Sequence, residues 1–169
     1  MITTLISSSG TLRSVMADKQ FAVIDLAELK WPSNLQLPSI HFRLLVAADI
    51  ENVPAEIVSE FAFSALSKGM VYFCAWGPGC SRFHDIVDEV IVVDEIGERR
   101  FAGPSKDDVV ITTWHEEDTL QEALDFLATC ANPTDGFASN SAFRLVICVG
   151  NSDCSRISRE FLAAAEFFA

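Results

Sequence analysis

A succession of short apolar runs, most of them followed by a stretch of helical spacing, organises the chain. "FRLLVAAD" (Phe42–Asp49), "MVYFCAW" (Met70–Trp76) and "FRLVICVG" (Phe143–Gly150) are nearly continuous in apolar residues, as expected of parallel strands covered on both faces. Between the first two, Ile57, Phe61 and Ala65, flanked by Val58 and Ala62, recur at helical spacing in a segment opened by Pro54 and closed by Gly69. A short helix is expected over Cys80–Asp88. "VIVVD" (Val90–Asp94) and "VVITTW" (Val109–Trp114), both rich in β-branched residues, are expected as strands. The clearest helix opens at Thr119, where Glu122 completes a capping box and Leu120, Ala123, Leu124, Leu127 and Ala128 share one face. A last helix is expected from about Cys154 to the terminus. Residues 1–40 carry less pattern: "FAVIDL" (Phe21–Leu26) reads as a possible strand and "WPSNLQLPS" (Trp31–Ser39) as a connector.

This alternation predicts a single domain, an N-terminal extension over 1–40 and an α/β core over 41–169. Its expected architecture is a three-layer α/β sandwich with a mostly parallel, Rossmann-like or flavodoxin-like sheet of about five or six strands. The thirteen residues Ile96–Asp108 decide the strand order. If the strands at Phe42, Met70 and Val90 run outward, this stretch returns the chain to the free side of the first, at about 3.3–3.6 Å per residue. The topological switch point then lies between the strands ending at Asp49 and Trp114. An antiparallel hairpin across Ile96–Asp108 is the competing reading.

Open parallel sheets bind ligands beyond the carboxyl ends of their strands. Those ends carry Asp49, Trp76-Gly77, Asp94-Glu95, Trp114-His115-Glu116-Glu117 and Gly150-Asn151. One segment there, "CAWGPGCSRFHD" (Cys74–Asp85), is echoed by "CVGNSDCSRIS" (Cys148–Ser158): Cys, five residues, then Cys-Ser-Arg. In the first copy Gly77, Pro78 and Gly79 form a tight turn that brings Cys80 to a helix start, where the N-terminal dipole can lower a thiol pKa or hold an anion. His84 follows on the same helical face. Cys80 and His84 then read as a nucleophile with its base, or as metal ligands with His115 as the third. His115, followed by Glu116 and Glu117, also has the makings of an acid/base group. The plain alternatives are a buried structural Cys80 and a solvated His115 before a capped helix. The second copy has Ser158 where the first has His84, so a Cys-His chemistry cannot explain both. What the copies share is the form of a strand-to-helix turn.

Composition narrows the classes. Half of the 169 residues are hydrophobic and thirteen are Phe, which excludes a disordered chain. The net charge of −12 and the lack of any Lys/Arg cluster beyond Arg99-Arg100 argue against nucleic acid, whose binding rests on cationic phosphate contacts. No apolar run approaches the roughly 20 residues that span a bilayer, so no membrane association is expected. The opening residues lack the pattern of an export signal. Five cysteines, an odd number, suggest reduced thiols and a cytoplasmic protein. The terminal "FLAAAEFFA" is apolar nearly all round, which makes Phe161, Leu162, Phe167 and Phe168 candidate homodimer contacts.

The strings "WGPGCSRFHDIVDE" (Trp76–Glu89), "TTWH" (Thr112–His115) and "EALDF" (Glu122–Phe126) together resemble a family of short bacterial proteins known as a domain of unknown function. The resemblance covers about residues 42–150. It departs at Gly79 and Ser81, where the family often has an acidic residue. It supplies no activity and leaves any cofactor unknown, but it points to Trp76, Cys80, Arg82, His84, Asp85, Trp114 and His115 as one constellation. With Asp49, Gly77 and Glu116 from the strand ends, these are the candidate ligand-binding residues.

Three functions fit. The leading expectation is a small acidic binding or regulatory domain that recognises a basic protein partner, as in immunity or toxin neutralisation. The second is an enzyme with Cys80, His84 and His115 converging at the strand-end cleft. The third is a phosphate- or nucleotide-binding domain using the helix starts at Cys80 and Cys154.

Overall fold

The structure, a computed structural model, describes residues 20–166. Five strands form one sheet: β1 (Phe21–Leu26), β2 (Phe42–Ala47), β3 (Met70–Trp76), β4 (Ile111–Trp114) and β5 (Arg144–Val149). Their spatial order is β1-β5-β2-β3-β4 and every neighbouring pair is parallel. The helices are α1 (Ala55–Ser67), α2 (Cys80–Ile96), α3 (Leu120–Thr129), the single turn α4 (Asp135–Ala138) and α5 (Ser152–Glu166). The α/β sandwich read from the sequence is therefore the fold, and the hairpin alternative falls with the parallel pairing of β3 and β4.

The side-chain alternation of the central strands builds two cores. Leu44, Val46, Phe73, Leu145 and Ile147 face α1 and α2, where Val58, Phe61, Phe83 and Val87 meet them. Leu45, Cys74, Val146 and Cys148 face α3 and α5, against Leu124, Leu127 and Cys154. Because β2 is buried along its whole length, both of its faces must be apolar, which is why its run is continuous rather than alternating.

The capping box at Thr119 forms as expected, with Thr119 Oγ1 accepting from the Glu122 amide and Glu122 Oε2 accepting from the Thr119 amide. Arg144, at the start of β5, donates to the Leu127 and Ala128 carbonyls near the other end of α3, which helps satisfy acceptors a helix cannot pair internally.

"VIVVD" is not a strand. It is the second half of α2, a 17-residue helix that buries Cys80, Phe83, Ile86, Val87, Ile91 and Asp94. Five β-branched and acidic residues are too few to separate the two periods, and Asp94 points inward because it has work there. Its carboxylate accepts from Arg100 Nε at 3.1 Å and the Phe101 amide at 3.0 Å, pinning the connector that follows the helix.

Losing that strand changes the topology. Strands β2, β3 and β4 run outward in order, and the chain returns after α3 and α4 to lay β5 on the free side of β2. The switch point lies between β2 and β5, not between the strands ending at Asp49 and Trp114.

Candidate functional site

The residues singled out in the sequence fall into separate groups. Along β4, Thr112 and Trp114 face α2, whereas Thr113, followed by His115, faces α3. On the α2 side, His84 packs on the half-exposed Trp114 with ring centroids 4.5 Å apart. Its ring nitrogens lie 3.1 Å from Asp85 Oδ1 and 3.4 Å from Asp88 Oδ2, and Asp88 accepts from the Thr112 hydroxyl. On the α3 side, His115 is buried, with Nδ1 2.6 Å from Asp118 Oδ2 and Nε2 3.2 Å from Thr113 Oγ1. Trp76 Nε1 donates to the Asp118 carbonyl at 2.9 Å. Glu116 is exposed.

His84 and His115 therefore stand on opposite faces of the sheet, and the expected convergence of Cys80, His84 and His115 does not occur. Among the described residues no group of three or more His, Cys, Asp or Glu side chains is placed to hold a metal. Thr113, His115 and Asp118 have the connectivity of a hydroxyl–imidazole–carboxylate relay. Yet the Thr113 hydroxyl also reaches the Phe73 carbonyl at 3.3 Å, and Phe126 covers the His115 ring at 4.8 Å. The arrangement ties β4 to the start of α3.

Cys80 is 2% exposed and packs into the α1/α2 core. Burial pushes its thiol above the ordinary value, and the nearby His115 main-chain N–H offsets this only in part. The Cys154 thiol is likewise raised by burial. Both helix-start thiols are thus held in the protonated, unreactive form. The dipole argument fails because each side chain turns inward from its helix end.

The glycine turn has a different task. Gly77 (φ 110°) and Gly79 (φ 76°) occupy conformations that side chains resist. A Cβ on Gly77 would sit 2.4 Å from the Ala48 carbonyl oxygen, so the backbones touch there. The Ala48 amide donates to Trp76, the Ile50 amide to Pro78, and Arg82 Nη1 to the Ile50 carbonyl at 2.9 Å. The segment Trp76–Arg82 is a brace for the loop between β2 and α1.

That loop forms one wall of a cavity of about 830 Å³ at the β2/β5 switch point. The cavity runs from the strand ends at Asp49 and Gly150 past Pro54 and along Ile57 and Phe61 of α1, and Trp31 of the β1–β2 connector also lines it. Of the candidates from the sequence, Asp49 lines it; His84, His115 and Cys80 do not. Trp31 was missed because it lies in a segment with no periodicity, which carries no signal for where it packs. Its indole meets Phe61 and Phe42 at 5.7 and 5.9 Å between ring centroids.

Residues 23–165 match the family described as Domain of unknown function (DUF7684). The chain belongs to that family. No curated protein matches the chain, and no solved structure matches it. The DUF7684 match takes in most of β1, the other four strands, α1 to α4, the brace, the cavity and nearly all of α5. No helix among the described residues is long and apolar enough to cross a membrane.

Two further expectations bear on assembly. Leu162 is buried within the chain, whereas Phe161 is half-buried and packs on Phe21 with centroids 6.1 Å apart. Phe167 and Phe168 lie outside the described residues.

Proposed function

We propose that this DUF7684 domain is a binding domain for a small molecule, held in the cavity between the ends of β2 and β5. One observation carries the reading: the cavity opens at the strand-order reversal, where open parallel sheets bind their ligands. Its volume, about 830 Å³, falls within the roughly 300–1,000 Å³ typical of ligand pockets, and its walls mix aromatic side chains with a few polar groups. A binding role is preferred to catalysis because the thiol candidates are buried and the histidines are engaged with neighbouring carboxylates away from the cavity.

A reduced, cytoplasmic setting suits a chain whose five cysteines are all unpaired. Recognition of a basic protein is a second reading, favoured by 24 acidic against 12 basic residues.

The test is a fragment screen followed by amide-shift mapping on the full chain. Binders should shift the amides of Asp49, Gly150 and Ile57 together with the Trp31 indole. They should lose affinity in Ile57→Trp, which fills the groove from a position already half exposed. Binders that map elsewhere and ignore Ile57→Trp would overturn the proposal.

A further inference from the structure

The charged groups around the cavity say what kind of molecule it takes. Among the described residues Glu28, Asp49 and Glu60 line it against one cation, Lys30. Among the described residues none of those three carboxylates is within ion-pair distance of a Lys, Arg or His. Asp49 Oδ1 accepts from the Glu51 amide at 3.1 Å, a local turn bond that leaves the second oxygen without a partner among the described residues. Behind these groups stand the rings of Trp31 and Phe61 and the side chain of Ile57.

The same neighbourhood is poorly made for an anion. At the start of α5, Asn151 Oδ1 already accepts from the amides of Asp153 and Cys154 at 3.0 and 3.2 Å. At the start of α1, Pro54 has no N–H to offer and Glu56 occupies the first turn. A phosphate would meet three carboxylates, one lysine and a proline.

Resting on the cavity reading above, we propose that the ligand is an amphipathic amine. Its protonated nitrogen sits beside Asp49 at the mouth, and its apolar body lies along Ile57 and the exposed edge of Trp31. Exposed carboxylates that no described cation pairs attract an ammonium. Trp31 also has an indole N–H that no acceptor among the described residues reaches, although the residue is only 8% exposed. A buried donor left unpaired is costly, and an acceptor on the ligand would remove that cost.

Four probes with one body separate the alternatives: 3-phenylpropylamine, 3-phenylpropan-1-ol, 3-phenylpropionate and 3-phenylpropyl phosphate. Each is titrated into the full chain while the amides of Asp49 and Gly150 and the Trp31 indole are followed. The amine should bind about two- to fivefold tighter than the alcohol, and Asp49→Asn should weaken the amine alone by about twofold or more. The Asn side chain keeps the oxygen that accepts from Glu51, so the loop survives the change. If the carboxylate or the phosphate binds best at these residues, the amine class is wrong and the cavity reading stands. An alcohol that binds as well as the amine has the same meaning. If no probe shifts these residues at millimolar concentration, both proposals fail.

Discussion

Thiol reactivity decides between the helix-start cysteine as nucleophile and as core residue. Four of the five cysteines are buried and only Cys130 is exposed. Burial pushes the Cys74 thiol up to about 12 and Cys148 to about 11. At pH 8 that leaves thiolate fractions of about 10⁻⁴ and 10⁻³, against roughly a quarter for an unperturbed thiol near 8.5. Cys80 and Cys154 are shifted in the same direction. A reagent must also wait for the chain to open. For a domain of at least about 5 kcal/mol stability, full opening alone slows the reaction by some 10³- to 10⁴-fold. Treatment of the folded protein with an aromatic disulfide at pH 8 should therefore show one fast thiol, with the other four at least about 10³-fold slower. In Cys130→Ser the fast phase should vanish; in denaturant all remaining thiols should react together. A fast phase that persists in Cys130→Ser and disappears on adding Cys80→Ser would refute the reasoning, because it would place an accessible thiolate at the start of α2.

Two other perturbations test the supports of the site. Gly77→Ala puts a Cβ 2.4 Å from the Ala48 carbonyl oxygen at a φ of 110°, so it should cost at least about 2 kcal/mol in denaturant unfolding and weaken any ligand that contacts Asp49. Asp108 accepts from the amides of Gly136 and Ser105 at 2.8 and 2.9 Å, and these bonds, Gly136 first, hold its carboxyl below the ordinary 3.8. A depressed folded value means that the stabilisation is complete above the unfolded value and is lost as pH falls through the folded one. The melting temperature should thus drop below about pH 4, Asp108→Asn should flatten that acid limb, and an unchanged limb would show that other carboxylates dominate it.

Much of the fold was legible because its central strands are buried on both faces and leave continuous apolar runs. The capping box at Thr119 and the punctuation by Pro54 and Gly69 were legible because each is a local device. The α2 helix was not, since Val90, Ile91, Val92 and Val93 favour strands locally and only tertiary packing chooses among them: Ile91 is buried, Val92 and Val93 are exposed. The candidate site suffered more. Sequence proximity joined Trp114 to His115, but the pleat sends consecutive side chains to opposite faces, so His84 and His115 each found a different neighbour. Trp31 lies in an aperiodic connector and carries no signal, and Asp118, three residues past His115, gains Trp76 only when β3 and β4 lie side by side.

The two Cys-x₅-Cys-Ser-Arg segments show how a single misread helix displaced the site. Cys74 and Cys148 lie in the same core layer, on strands that flank β2. The helices that follow them part company: Cys80 packs into the α1/α2 core and Cys154 into the α3/α5 core. A change of helix face between neighbouring parallel strands is what opens a crevice, because the loops leave β2 and β5 in opposite directions. With a strand assumed at Val90–Asp94, that divergence was assigned to Trp114. Without it, the divergence falls between Asp49 and Gly150, at the cavity. The Gly77–Arg82 turn then has a role that needs no reactive thiol: it presses on Ala48 and Ile50 and so fixes where Asp49 stands. The first copy of the motif acts on the site from behind, through the backbone, and the second forms part of its rim.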